Sequence, residues 1–481
     1  MGPTTTSSTI LRNRNSVIRN SSGPRHKRWI SRTDYAWFDV LIALGCLGGL
    51  TISTLYQLEV RAADYGASDF KTLYASVWCF AHRINAYSLA NIQHVFVANG
   101  VVQPEKWFGH APVYPWITLA LLSPLALLGM VPAAYVLIIL SGLLMVVAVA
   151  ALMRYAAATF GMGPVWRIVL AILCASGPLL SFGINLGNVS VAASALCFLA
   201  FVWRNKESPW NQRGTRWVSA AALAAALVLK PHLALWVALG MLLLPERAAR
   251  AVVMRAGALV AGFVALTAGV MAATGTLSLQ THAYLAMLSA EASKGASMSA
   301  TSRTVLPVVA EITSLNSIVG FWVPGSVVRV ILVGIALLGL GFWAVRLTRR
   351  VDSERAALLA VGTWCALGFL ATYHRSPDAI LLLILLPWAL DQVRRTPWDW
   401  HAWVATAFYC GLSVSADFPV VERWVATLPT YSPLAFLLLR QAGLADCLLL
   451  LVLLLALNKE RARQILLETQ PVEEEETQAV A

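Results

Sequence analysis

The chain has 481 residues, is 58% hydrophobic and only 12% charged, and carries a formal net charge of +12 with a mean hydropathy of +0.68. A charged fraction so far below the roughly 25% of soluble domains excludes an ordinary soluble protein and marks an integral membrane protein. Its basic residues gather in short stretches between hydrophobic spans, where they set orientation, so the charge does not argue for a nucleic-acid ligand.

Residues 1–34 are rich in Ser, Thr, Asn and Arg and carry seven Lys or Arg. They predict a disordered cytoplasmic N-terminus, followed by a retained anchor over about 36–57 that runs outward. Residues 58–110 then form an external loop too long for a connector. Within it, apolar residues fall at 70, 73, 74, 77, 78 and 81. That spacing predicts an amphipathic helix on the bilayer surface, with Ser68 as its cap and Asp69 in its first turn. The helix dipole favours an acid there, so Asp69 has a purely structural explanation as well. A second amphipathic piece falls near 91–98, and Trp107, Phe108, Gly109 and His110 mark the returning interface.

Further hydrophobic segments follow near 113–129, 132–152, 167–182, 188–203, 217–229, 232–244, 252–274, 326–345, 356–372, 378–390, 400–416 and 433–456, thirteen with the first. The basic stretches at 204–216, 245–255, 346–355, 391–395 and 459–463 belong inside with the N-terminus, which requires an even number of crossings. The expectation is an all-α polytopic domain over 35–457 with twelve crossings and both termini cytoplasmic. One segment then fails to span: either 113–129, broken by Pro115 and Pro124, or a short piece between 167 and 203. Residues 275–325 form a second external loop, and 458–481 an acidic tail ending in Glu473 to Glu476.

Three segment pairs are shorter than the roughly 20 residues of a full crossing and read as hairpins that stop short of the outer surface. Their tips are Asn185-Leu186-Gly187-Asn188, Lys230-Pro231-His232 and Tyr373-His374-Arg375-Ser376-Pro377-Asp378. Ionisable groups at that depth face protein or a water-filled cavity and are functional candidates, the alternative being that Lys230 and Arg375 snorkel to the outer headgroups. The seven cysteines show no metal or disulfide spacing, and neither a paired Asp-x-Asp nor a glycine-rich phosphate loop is present, so no cofactor, bound metal or nucleotide substrate is expected.

The residues from 36 to 456 resemble glycosyltransferase family 87, the polyprenol-phosphate-mannose-dependent mannosyltransferases and their relatives. The resemblance rests on Ser68-Asp69-Phe70 followed by Tyr74 and Asn85-Ala86-Tyr87, on Ala111-Pro112-Val113-Tyr114-Pro115, and on Leu122-Ser123-Pro124-Leu125. It continues through Leu186-Gly187-Asn188, Leu229-Lys230-Pro231 and Tyr373-His374-Arg375 with Asp378. Ala86 stands where the family commonly has Pro, the Gln of a Gly-Gln-x-Asn motif is missing, and Pro377 replaces an aromatic.

The resemblance implies a GT-C type fold, a sugar donor carried on polyprenyl phosphate, and a glycan or glycolipid acceptor. It also implies an Asp of the first external loop as base. Asp69 takes that role, with Asp64 second; Tyr74, Tyr87, Tyr114 and Asn188 support it. Lys230, His232, His374 and Arg375 are the cations available to a lipid phosphate. Asp378 either orients His374 or Arg375 or only opens its helix. The rival from another class is a lipid-linked sugar flippase, since polar half-helix tips also suit an anionic cargo.

Overall fold

The computed structural model describes residues 36–61, 68–101, 113–176, 178–204, 215–293, 314–323, 326–372, 376–396, 400 and 432–469. The regular elements among them are all helical. The predicted anchor is α1 (Ala36–Arg61), and the segment expected as the first external loop holds α2 (Ser68–Ala81) and α3 (Leu89–Ala98). Next come α4 (Trp116–Leu122), a 3-10 segment Ser123–Leu127, and the long α5 (Met130–Phe160). After these run α6 (Pro164–Ser176), α7 (Pro178–Asn185), α8 (Ser190–Val202), α9 (Thr215–Leu229), α10 (Pro231–Leu243) and α11 (Arg247–Ala273). The segment expected as the second external loop contributes α12 (Leu277–Ser293) and α13 (Leu315–Trp322). The chain continues through α14 (Ser326–Thr348), α15 (Glu354–Ala371), a 3-10 segment Ser376–Leu385, α16 (Leu386–Arg395), α17 (Pro433–Leu439) and α18 (Gln441–Thr469).

Among the described residues, four helices are long and apolar enough to cross a membrane: α5, α11, α14 over Val327–Thr348, and α15. A fifth is added if α6 and α7, bent by 47° against each other, form one span. Fewer elements meet this test than the twelve crossings expected, because several apolar helices are short. With 13, 15 and 13 residues, α8, α9 and α10 are each about 20 Å long against a hydrocarbon core of about 30 Å. Segment 113–129 has no greater length of regular structure, a 7-residue helix and a 5-residue 3-10 segment that together rise about 20 Å. The hydrophobic segment at 400–416 lies almost wholly outside the described residues.

The central helix is α8, buried along nearly its whole length between α5, α9, α10 and the second 3-10 segment, which suits a helix apolar on every side. Packed on α10 and the second 3-10 segment, α15 approaches its neighbours closely because glycines stand at the contacts. A Cβ on Gly362 would overlap Leu385, one on Gly368 would overlap the Trp236 ring, and one on Gly240 would press on Val361. At the periphery, α11 and α14 bury only 11% of their apolar windows, against 67% for α5 and 83% for α15, so the first two face lipid.

The segment ends that the basic residues assign to one side do meet. Arg204 is fully buried and pairs with Glu246 at 3.3 Å and with Glu354 at 3.0 Å. The buried Asp391 receives Arg355, Arg394 and Arg395 at 3.1, 2.7 and 2.9 Å, and Arg355 also reaches Glu460 at 2.9 Å. Arg394 donates to the Phe160 and Gly161 carbonyls and so caps the C-terminus of α5. Near the start of α1, Asp39 holds Arg167 at 2.6 Å and Arg154 at 3.7 Å.

The stretch around α2 departs from its expectation in two respects. Helix α2 starts at Ser68, so Ser68 is its first residue and Asp69 lies in its first turn. Phe70, Leu73, Tyr74 and Val77 are buried as the periodicity predicts, but under α3, α4, α5 and the first 3-10 segment and not against lipid. The apolar stripe cannot distinguish a membrane surface from a protein surface, since both reward the same burial.

Candidate functional site

Two hairpin tips, the end of a third and the start of α2 converge. At the first tip, Gly187 adopts φ +61. Its N–H donates to the Ile184 carbonyl at 2.9 Å, and that of Asn188 donates to the Gly183 carbonyl at 3.0 Å, closing a Schellman turn on α7. Glycine takes that left-handed backbone without steric cost, which explains its place before Asn188. The Asn188 Oδ1 then accepts the Ser190 N–H at 2.9 Å and so helps open α8.

The second tip is set by Pro231. A residue before proline is kept out of the helical region, and Lys230 has φ −149 and ψ 78. Its N–H closes the last turn of α9 on the Ala226 carbonyl at 2.9 Å. Its own carbonyl accepts from Leu233 and Ala234 at 3.1 Å each, starting α10 with proline in the first turn. A cation at a helix N-terminus is opposed by the dipole, and here a carboxylate answers it. The Lys230 ammonium bonds both Asp378 Oδ1 and Ser190 Oγ, and reaches Asn188 Oδ1 at 3.3 Å. Lys230 and Asp378 are both buried.

Helix α2 docks on this assembly. The Phe70 N–H donates to the Leu186 carbonyl at 3.2 Å, tying the first turn of α2 to the first tip. Asn188 Nδ2 donates to Asp69 Oδ2 at 2.8 Å. Ser190 Oγ lies 2.5 Å from Asn188 Oδ1 and 2.6 Å from Asp378 Oδ1. His232 places Nε2 3.8 Å from Asp378 Oδ2, with its side chain 38% exposed. The result is one chain of polar groups from the half-buried Asp69 through Asn188, Ser190 and Lys230 to Asp378 and the exposed His232.

The tyrosines hold the loop over this chain without joining it. The Tyr74 hydroxyl donates to the Leu128 carbonyl at 2.6 Å, and that of Tyr87 to the Tyr114 carbonyl at 2.9 Å. Tyr87 also packs on Tyr284 of α12 with ring centroids 5.3 Å apart. Burial pushes the Tyr87 phenol well above its usual range, so it remains a donor. Gln280, buried on α12, clasps the Asn85–Tyr87 turn: it accepts from the Ala86 N–H at 3.2 Å and donates to the Ile84 carbonyl at 2.7 Å. Thr118 of α4 donates to the Val228 carbonyl at 2.7 Å, just before Lys230.

Of the sequence-derived candidates, Asp69, Asn188, Lys230, His232 and Asp378 therefore come together; Asp64, His374 and Arg375 lie outside the described residues. Asp378, expected to orient one of the latter two or to open its helix, stands in the first turn of a 3-10 segment and pairs with Lys230. Ser190 was not among the candidates. Its signal was a hydroxyl two places after a hairpin tip, at the entrance to an otherwise apolar run.

A half-buried carboxylate joined through Asn188 to a paired cation, with a partly exposed imidazole on the same chain of groups, can take a proton from a hydroxyl while a nearby positive group meets an anion. The family model for glycosyltransferase family 87 matches residues 113–372, over half of the chain, taking in Asn188, Ser190, Lys230 and His232 but not Asp69 or Asp378. No curated protein and no solved structure matches the chain.

Proposed function

The chain belongs to glycosyltransferase family 87, and from that premise we propose that this membrane glycosyltransferase takes its sugar from a polyprenyl-phosphate donor. It passes that sugar, a mannose or related hexose or pentose, to a hydroxyl of a glycan or glycolipid at the outer face of the cytoplasmic membrane. The observation that carries this reading is the link from Asp69 on the external loop, through Asn188, to Lys230 and Asp378 at the hairpin tips. In the reaction, the acceptor oxygen attacks the anomeric carbon, the bond from that carbon to the phosphate oxygen breaks, and Asp69 takes the acceptor proton. Attack from the face opposite the phosphate inverts the anomeric centre. His232 with Lys230, joined by His374 and Arg375, offsets the charge on the departing polyprenyl phosphate. The basic segment ends support a cytoplasmic assignment for their side and an outward-facing site in a twelve-crossing chain.

The test is sugar transfer in detergent from a labelled polyprenyl-phosphate sugar to a hydroxyl acceptor. Micelles have no second compartment, so a flippase yields no glycosidic product. Product formed by the parent and lost in Asp69→Asn supports the proposal; none from the parent with any such donor overturns it.

A further inference from the structure

The hydrogen-bond donors around Asn188 leave its amide only one orientation. Its oxygen faces the Ser190 N–H at 2.9 Å and the Lys230 ammonium at 3.3 Å, both of which can only donate. Its nitrogen faces Asp69, whose carboxylate can only accept. Swapping the two ends would set donor against donor and acceptor against acceptor. The amide therefore arrives at Asp69 Oδ2 as a fixed donor.

The Ser190 hydroxyl sits where this arm meets the buried ion pair. It accepts from Lys230 and stands within hydrogen-bond distance of two acceptors, Asn188 Oδ1 at 2.5 Å and Asp378 Oδ1 at 2.6 Å. A hydroxyl has one proton, so it serves one of them at a time. Ser190 is fully buried, and water cannot replace it. We propose that Ser190 is a positioning residue, acting through Asn188, which couples the orientation of the Asp69 carboxylate to the state of the Lys230–Asp378 pair. Its proton passes toward Asn188 when Asp378 is satisfied by Lys230, and toward Asp378 when an anion at the surface draws Lys230 away. The geometry of the base thus responds to the presence of the anionic donor.

This rests on the proposed role of Asp69 as base, and the experiment separates the two. Turnover and donor KM are measured for Ser190→Ala, Ser190→Cys, Asn188→Ala and the Ser190→Ala/Asn188→Ala double variant, with Asp69→Asn alongside and thermal midpoints in detergent for all. Ser190→Ala is expected to lower kcat about tenfold, in line with losing one positioned hydrogen bond, with donor KM nearly unchanged. Ser190→Cys, which keeps the bulk but donates weakly, is expected to match it. The double variant should fall within about twofold of Asn188→Ala alone, because the two residues act in series. Independent, multiplying losses in the double variant, or full turnover in Ser190→Cys, would overturn the coupling while an inactive Asp69→Asn leaves the base in place. An active Asp69→Asn would remove the base itself, and the coupling with it.

Discussion

The protein builds two polar regions from similar residues, and they are finished differently. At the basic end, Asp391 takes three guanidinium groups, Arg204 takes two carboxylates, and Asp39 takes two arginines. Each of these three buried groups has more than one partner. At the hairpin tips the pairing is thinner. Asp69 is half-buried, with Asn188 as its donor among the described residues, and His232 stands exposed beside a carboxylate that Lys230 already occupies. A region in which the buried Asp39, Arg204 and Asp391 each take several partners holds helices together. One that leaves a carboxylate and an imidazole open to the surface is arranged to meet something else.

The largest effect that would sharpen this contrast is in Asp69→Asn. It keeps size and hydrogen-bonding capacity but removes the proton acceptor, so turnover should fall about 100-fold or more with little change in thermal midpoint. A few-fold change would place Asp69 among the structural acids.

Lys230→Ala comes next. Donor use should weaken by about tenfold or more as a charge-assisted contact is lost, and stability should fall too, because the buried Asp378 loses its nearest cation among the described residues. Adding Asp378→Leu should recover the stability and not the activity. Recovery of both would assign the pair to the scaffold.

Asp391→Asn belongs to the other region and should do the reverse. Its three arginines lie close enough to the surface to turn to water, so the loss should be about 2 kcal/mol of stability, with turnover per folded molecule retained. Unfolding in detergent and single-turnover transfer measure the two quantities separately. Smallest of all should be Arg395→Ala, whose side chain is 48% exposed and is one of three on the same carboxylate. A change of at most about 0.5 kcal/mol is expected, as for most exposed pairs.

The sequence made the tips legible because buried polar residues are costly in a membrane, and each stood out from an apolar run: Asn188, Lys230 and Asp378 could be found by that contrast alone. Pro231 and Gly187 located the turns for steric reasons that do not depend on tertiary structure. What could not be read was which surface covers the stripe of α2, since apolar spacing is blind to the identity of its partner. Nor could Ser190 be found, because serine is common at helix starts and becomes informative only when Asp378, 188 residues further on, is seen to touch it. The number of full crossings was obscured by length: helices of 13 to 15 residues are as apolar as true spans but too short to be them.

The clasp of Gln280 on the Asn85–Tyr87 turn bears on how such enzymes can be recombined. The backbone of the first external loop is completed by a side chain 196 residues away, so that loop is not a transplantable module. A chimera that replaces residues 68–101 and keeps the host's own α12 would require the guest turn to present its carbonyl and N–H where Gln280 expects them. Where it does not, two backbone groups lose their partner at about 1–3 kcal/mol each. Grafting of residues 68–101 between relatives is therefore expected to preserve the fold only when α12 travels with them.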